Sequence, residues 1–433
     1  MSKRSQSRQN RSRDNEPELI RPGSHDPGQE EANLELDLDL NLEEELTDAE
    51  IESKFPETVP SGSKEQGSLP SPEALVPWGE AGAPAPDSWV IDVLGGPFES
   101  MATNLGDDDE GPVVATLVRR RFADTFRGRR AKKHAKFALL FVHGRNDYFY
   151  HSEFAERIAE LGGAFYALDL RKYGRSLRPW QTIGYTDDLE VYDEELNWAT
   201  QMIRQEFPHL PLVVMGHSTG GLIIPLWARR NKGVVSGMIL NSAWLELQTM
   251  TAIRPALQRV TTQLARVRPR ASVVGQSKNN AYYRTIAEGW AGSGFELPKD
   301  LIALEDDPAV RGWNPFPQWK LPFSYPAPAA WMQTILEGHA EVERGLDLDF
   351  PILSMASTAT GDEEEWTPEV FTSDLVLNAK LIAERSAVLG RQVTIERFSG
   401  KHDLLLSDQP VREAIYDTVA RWLKFAQICG SGR

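Results

Sequence analysis

The sequence predicts an α/β domain, a mostly parallel sheet of eight strands flanked by helices, and three observations carry that prediction. Short apolar runs rich in Val, Ile, Leu and Phe alternate with segments of helical period from about residue 88 onward. Most gaps between those runs are long enough for a helical crossover, the connection that joins parallel neighbours. One gap, from Leu245 to Phe350, spans about 105 residues, far beyond an ordinary connection.

The strands fall at 88–93 (SWVIDV), 112–119, 136–142 (KFALLFV), 164–169 (AFYALD), 210–215 (LPLVVM), 236–241 (SGMILN), 351–356 (PILSMA) and 392–397 (QVTIER). The first two adjoin without a helix between them, so that end of the sheet is expected to be antiparallel. Helical spacing fills 152–161, 186–207, 220–231, 374–389 and 410–426. The long gap holds Trp290, Trp313, Trp319, Trp331, Phe295, Phe316, Phe323 and Tyr325. Residues 245–350 therefore read as a helical cap inserted between strands 6 and 7. Its rings either line an apolar underside or fill the cap's own small core.

Upstream the texture is different. Residues 1–86 carry 8 Lys and Arg against 19 Asp and Glu, so most of the chain's net charge of −16 sits there. From Glu30 to Glu52 there are eleven acidic residues and no basic ones, followed by a Pro/Ser/Gly-rich run. Such a segment cannot repay the entropy of folding, so 1–86 reads as a disordered acidic tail and 87–433 as the folded domain. The tail is a candidate segment for binding a protein partner. A basic run, RRRFADTFRGRRAKKHAK at 119–136, is a second candidate contact for it.

Composition excludes several classes. With 41% hydrophobic and 25% charged residues the chain is neither collagen-like nor wholly disordered. No apolar run approaches the ~18 residues of a membrane span. The acidic balance argues against nucleic acid as a partner. The basic start MSKRSQSRQNRSR has no apolar stretch behind it, so no secretory leader is expected. The single cysteine, Cys429, excludes an intrachain disulfide and zinc-ligand pairs, and a cytoplasmic location follows.

The strand LPLVVM runs directly into Gly216-His217-Ser218-Thr219-Gly220 and a helix opens behind it. Strand, G-x-S-x-G and helix in one stretch describe a sharp turn that exposes a serine hydroxyl above the sheet. The bland alternative is a helix N-cap serine. A nucleophilic serine needs a base, and of eight histidines His402, in FSGKHDLLLS after the last strand, returns to the same sheet edge. A carboxylate must orient that base, in the order Ser…Asp/Glu…His. Asp374 in FTSDLVLNAK is preferred, and Asp362 in TGDEEEW stays open. Two backbone donors should hold an oxyanion: the N–H of Thr219, and the N–H of Arg145 in the loop after FALLFV, where Gly144 permits a tight turn.

Taken together, FVHGRND, YALDLRKYGRSLRP, GHSTGGL, LNSAWLEL and KHDLLLS make the chain resemble the α/β-hydrolase superfamily, within it the monoacylglycerol lipase and lysophospholipase group, over about 88–427. The resemblance implies an α/β-hydrolase fold with Ser218 as nucleophile, His402 as base, Asp374 as acid and oxyanion amides at Arg145 and Thr219. It implies hydrolysis of a lipid-like ester with an apolar acyl chain, with no metal or organic cofactor. Three features depart from the family. Lys172-Tyr173 stands where Gly-His is frequent, the acid is delayed by about a dozen residues, and the cap is long. Asp169 and Arg171 resemble the family's structural ion pair beneath the site.

Two other functions fit the same fold. A peptidase or amidase would need a carboxylate for the substrate amine, with Glu288, Glu296, Asp306, Asp307, Glu337 and Glu341 as candidates in the cap. A non-catalytic scaffold would usually have lost the serine or the histidine, and both are present. A serine at the elbow excludes the aspartate-nucleophile dehalogenases and epoxide hydrolases. Peripheral membrane contact through an apolar patch on the cap stays open.

Overall fold

The computed structural model describes residues 87–247, 254–274 and 280–428. The acidic tail assigned to 1–86, and Cys429, lie outside the described residues.

Nine strands form the main sheet: β1 Val90–Ile91, β2 Phe98–Asp108, β3 Gly111–Arg120, β4 Phe137–Val142, β5 Gly163–Asp169, β6 Leu212–His217, β7 Gly237–Asn241, β10 Ile352–Ser357 and β11 Val393–Phe398. Their spatial order is β1-β2-β3-β5-β4-β6-β7-β10-β11. From β5 to β11 every pair is parallel, while β1-β2, β2-β3 and β3-β5 are antiparallel. β8 Ser272–Val274 and β9 Ala327–Pro328 make a separate antiparallel ribbon.

The sheet thus has one strand more than the eight expected. The addition is β2, FESMATNLGDD, whose second half is largely exposed and polar and carries no alternating apolar signal.

FALLFV shows why the central strands read as unbroken apolar runs. Ala138, Leu140 and Val142 face one core, and Phe137, Leu139 and Phe141 face the other. With period 2 and both faces covered, no position is left for a polar side chain. The first face is covered by α3 Tyr192–Glu206 and α4 Gly220–Arg230, the second by α2 Ser152–Glu160 and α11 Gln409–Phe425. Each buried Leu, Ile or Phe in these layers contributes about 1.5–3 kcal/mol of transfer free energy. A short basic helix, α1 Phe126–Lys133, buries no residue.

Between β7 and β10 the chain forms α5 Arg254–Val267, the β8-β9 ribbon, α6 Ala281–Ala287, α7 Gly289–Ser293, α8 Pro308–Arg311 and α9 Ala329–Glu343. α9 belongs to the first core. A Cβ on its Gly338 would lie 3.1 Å from Leu226, so α9 and α4 pack at close range. The stretch 281–319 instead builds a third cluster, in which Tyr282, Trp290 and Trp319 pack with Tyr148, Tyr150 and Phe371 from outside the insertion. Trp290 and Phe371 stack with ring centroids 4.1 Å apart. The remaining helix is α10 Ala379–Ser386. Architecture and strand order are those of the α/β-hydrolase fold. No helix among the described residues is long and apolar enough to cross a membrane.

Candidate active site

β6 ends at His217 and α4 begins at Gly220, so two residues make the turn. Ser218 takes φ +50, a left-handed backbone that costs about 1–3 kcal/mol at a non-glycine residue. The strain is held by its neighbours. Ser218 N donates to Asn241 O at 3.1 Å, and Ser218 O accepts from Gly221 N at 2.9 Å and Trp244 N at 3.0 Å. The glycines are there for space: a Cβ on Gly216 would lie 2.5 Å from Gly220 O, and one on Gly220 would lie 2.4 Å from His143 O.

His402 follows β11 and is buried, and its Nδ1 lies 2.9 Å from Asp374 Oδ2. Its ring centroid is 4.8 Å from that of His217, the residue before Ser218, which sets it beside the elbow. Tyr282 closes on it edge-on at 5.5 Å. The other oxygen of Asp374 accepts from Val376 N at 2.9 Å and Leu377 N at 2.7 Å. The delay before this acid has a simple geometry. Residues 361–373 loop out and the chain returns beside itself, with Asp374 N donating to Ala359 O and Gly361 N to Asp374 O, both at 2.9 Å. Asp374 therefore sits next to the end of β10 despite its distance in sequence. Asp362 is exposed and its Oδ1 accepts from Glu364 N at 2.8 Å, a local turn facing solvent.

The loop after β4 supplies Arg145. Its peptide is fixed from the oxygen end, because the His143 ring lies 2.7 Å from Gly144 O through Nδ1 while its Nε2 accepts from Leu170 N at 3.0 Å. Burial lowers the His143 pKa, in keeping with a neutral ring that donates from one nitrogen and accepts at the other. A trans peptide held at C=O has its N–H fixed on the opposite side. Among the described residues no acceptor takes the N–H of Arg145 or of Thr219, and Thr219 stands at the positive end of α4.

A family model described as serine aminopeptidase, S33, matches residues 133–353, more than half of the chain. The chain belongs to this family. This S33 hydrolase is 24% identical over 274 residues to a monoacylglycerol lipase of Mycolicibacterium smegmatis, covering 62% of this chain and 81% of that one. Among solved structures it is similar to a monoacylglycerol lipase from Paleococcus ferrophilus, with 14% identity and a TM-score of 0.45 over 76% of this chain and 99% of that one. It is also similar to a soluble variant of monoglyceride lipase from Saccharomyces cerevisiae in complex with a substrate analog, with 14% identity and a TM-score of 0.48 over 79% and 96% of the two chains.

Beneath the elbow the S33 hydrolase carries a buried charge network that its sequence did not announce. Asp403 accepts from Asn241 Nδ2 at 2.7 Å and lies 2.7 Å from His151 Nε2, and Lys320 Nζ donates to Asp147 Oδ1 at 2.9 Å. His217 Nε2 faces both carboxylates, 3.9 Å from Asp147 and 4.0 Å from Asp403. Burial drives the His217 pKa down to about 4, so that ring is neutral at pH 7. Burial works against the Asp403 carboxylate, yet the His217 and His151 rings and the Asn241 amide hold its pKa far below the ordinary range. Asp147, His217 and Asp403 present ligand atoms within 4.8 Å of one another, the spacing of a cation site. The Lys320 ammonium already neutralises Asp147 and His151 already partners Asp403, so the group works as a salt-bridge network without an ion.

Two expectations about neighbouring residues are corrected. Asp169 pairs with Arg175, at 2.8 Å, whereas Arg171 turns to Glu195 and Glu194. Arg175 is buried and also takes Asp92 at 2.8 Å, so the ion pair beneath the site is a triad of charges. The acidic candidates for an amine site are occupied or turned outward: Asp307 is held by Arg412, Glu341 by Arg229 and Glu288 by Arg284, while Asp306, Glu296 and Glu337 are exposed. Lys172 stands at φ +62, and its buried ammonium pairs with Asp108 and Glu110 at 2.6 Å. One carboxyl on which His402 acts electrostatically was missed. Glu363 has its pKa raised to about 7, by burial first and then by Glu364 and Asp362, with His402 acting in the opposite direction.

Proposed function

We propose that this α/β-hydrolase cleaves carboxylic esters by acyl transfer to water, with Ser218 as nucleophile, His402 as base and Asp374 as the group that orients the base. The observation that carries the reading is the pairing of a strained elbow serine with a buried His402–Asp374 hydrogen bond at the same sheet edge. Ser218 Oγ attacks the ester carbonyl as His402 Nε2 takes its proton. Nδ1–H donates to Asp374 Oδ2, whose charge steadies the imidazolium. The oxyanion is received by the N–H groups of Arg145 and Thr219, and preorganised donors of this kind are each worth about 10²–10³ in rate. The imidazolium protonates the leaving alcohol, and His402 then activates the water that frees the acid.

The substrate proposed is a lipid-like ester, a monoacylglycerol or lysophospholipid. Supporting it are the apolar cluster of Tyr148, Tyr150, Tyr282 and Trp319 beside the base and the monoacylglycerol lipase at 24% identity. Ser218 is 8% exposed and His402 3%, so the proposed reacting groups sit below the surface, shielded from bulk water. A second reading is hydrolysis at a free amino terminus. The family model's description as a serine aminopeptidase supports it.

Labelling with a fluorescent fluorophosphonate, compared across wild type, Ser218→Ala and His402→Ala, tests the mechanism, and labelling that persists in Ser218→Ala would sink it. A p-nitrophenyl ester series set against aminoacyl p-nitroanilides separates the two substrate classes. Turnover that rises with acyl length favours the lipid ester, and anilide cleavage that needs a free substrate amine favours the peptidase.

A further inference from the structure

Four consecutive side chains of the loop after β4 hold one stretch of the insertion. Residues 312–326 have no regular secondary structure, so their backbone groups have no ladder to join. Trp313 N donates to Ile286 O, and Trp319 N and Lys320 N to Phe316 O, while Phe316 N and the backbone of Leu321, Tyr325 and Pro326 find partners in the loop. Arg145 donates from Nη2 to Tyr325 O and Pro326 O, each at 2.9 Å, and its guanidinium lies 4.2 Å from the Tyr325 ring and 4.5 Å from the Trp331 ring. Asn146 Nδ2 donates to Leu321 O at 2.9 Å while its Oδ1 accepts from Leu321 N at 2.8 Å, a two-bond clamp on one residue. Asp147 takes Lys320, and the Tyr148 hydroxyl accepts from Phe316 N at 2.9 Å.

Each side of this contact is prepared for it. Pro317, Pro322 and Pro326 restrict the backbone of the strap, residues 316–326, which reduces the entropy lost when it docks. Asn146 stands at φ +54, a conformation that asparagine tolerates better than most residues. One side chain thus satisfies both a tight turn and the clamp.

The peptide between Gly144 and Arg145 is pinned at its oxygen by His143, and the clamp lies one residue beyond its nitrogen. We propose that Asn146 is a positioning residue, through which the strap 316–326 sets the Arg145 N–H, so that the oxyanion site is complete only while the strap is docked. The proposal rests on the acyl-transfer reading above. Substrate entry and oxyanion binding are then coupled: a strap lifted to admit a substrate disables the site until it closes again.

The test uses the full chain with Asn146→Ala and Asn146→Asp, counting live sites by fluorophosphonate titration so that kcat is per serine. Asn146→Ala loses both bonds and should lower kcat about 10–100-fold with KM within about threefold, since small misplacement of an oxyanion donor costs that much. Asn146→Asp keeps the acceptor for Leu321 N and should lose about 3–10-fold, and it carries the test if the alanine variant fails to fold. A trifluoromethyl ketone, which forms a tetrahedral oxyanion on Ser218, should weaken by the same factor as kcat/KM. A purely structural role would reduce the number of live sites or the Tm and leave per-site kcat and ketone affinity unchanged. That result, both within about twofold of wild type, would overturn the proposal. Failure of the underlying reading looks different, because wild type itself would then show no Ser218-dependent labelling.

Discussion

Asp374 holds His402 with one carboxylate oxygen, at 2.9 Å, and is itself held by two backbone N–H groups at the other. A carboxylate fixed at both oxygens cannot swing away from His402, and the proposed mechanism uses that hold when the imidazolium forms. Asp374→Ala or Asp374→Asn should therefore lower kcat by about 10³–10⁴ while the fold persists, the scale set by loss of the orienting carboxylate in serine triads. Asp362→Ala, which only opens a solvent-facing turn, should stay within about twofold. Steady-state kinetics on both variants decides between the two acids, and equal losses would refute the assignment.

Lys320 and Asp147 form a buried ion pair between the insertion and the loop after β4, at 5% and 1% side-chain exposure. Removing one partner of such a pair leaves an uncompensated buried charge and costs about 3–5 kcal/mol. Lys320→Met should show that loss in its denaturant midpoint. Combined with Asp147→Asn, it should recover a large part of it, because the isolated charge is gone. Additive losses in the double variant would mean that the pair contributes through packing alone.

The difference between what could and could not be read from the sequence follows from distance along the chain. The turn at Ser218 was legible because strand, motif and helix are contiguous, and the meeting of His402 with Asp374 because each stands beside an element with a clear period. The Lys320, Asp147, His217, Asp403 and His151 network joins four separate stretches, and no local pattern marks which charges will meet. Arg171 and Arg175 are four residues apart after the same strand, and the turn through Lys172 and Gly174, both at positive φ, folds the second back onto Asp169. The clamp from Asn146 to Leu321 is written in backbone groups, which have no side-chain signature. β2 was missed for the opposite reason, since its exposed half has a strand's hydrogen bonds without a strand's pattern.

Lys401, the neighbour of His402, donates its ammonium to Thr285 O and Leu406 O, each at 3.2 Å, in a fully buried site. Burial lowers its pKa to about 8, from an ordinary 10.5. Below pH 8 the lysine is protonated both folded and unfolded, and the fold bears the full cost of the buried charge. Between about pH 8 and 10.5 the unfolded chain holds more protons, so this group's contribution to stability rises with pH. Urea unfolding of wild type and Lys401→Met from pH 7 to 10.5 isolates it. The difference should move in favour of wild type across that window, and a flat difference would exclude a neutral folded lysine.

Gly144 offers the most direct probe of the proposed oxyanion loop. A Cβ there would lie 2.8 Å from Ser218 Cβ and 3.2 Å from the His217 ring, both rigidly held. The glycine's own backbone is not left-handed, so alanine is conformationally acceptable and would by itself stabilise slightly through the unfolded chain. Any loss in Gly144→Ala must then come from contact. Overpacking of this kind costs about 1–3 kcal/mol of stability. Relief by movement of the loop would displace the Arg145 N–H from the serine. The expected outcome is a folded enzyme whose kcat per titrated serine falls about 100-fold, with substrate KM little changed, because a displaced donor acts on the tetrahedral state. If Gly144→Ala instead kept kcat within about threefold, the Arg145 amide would not be part of the oxyanion site, and the donor opposite Thr219 would have to be sought elsewhere.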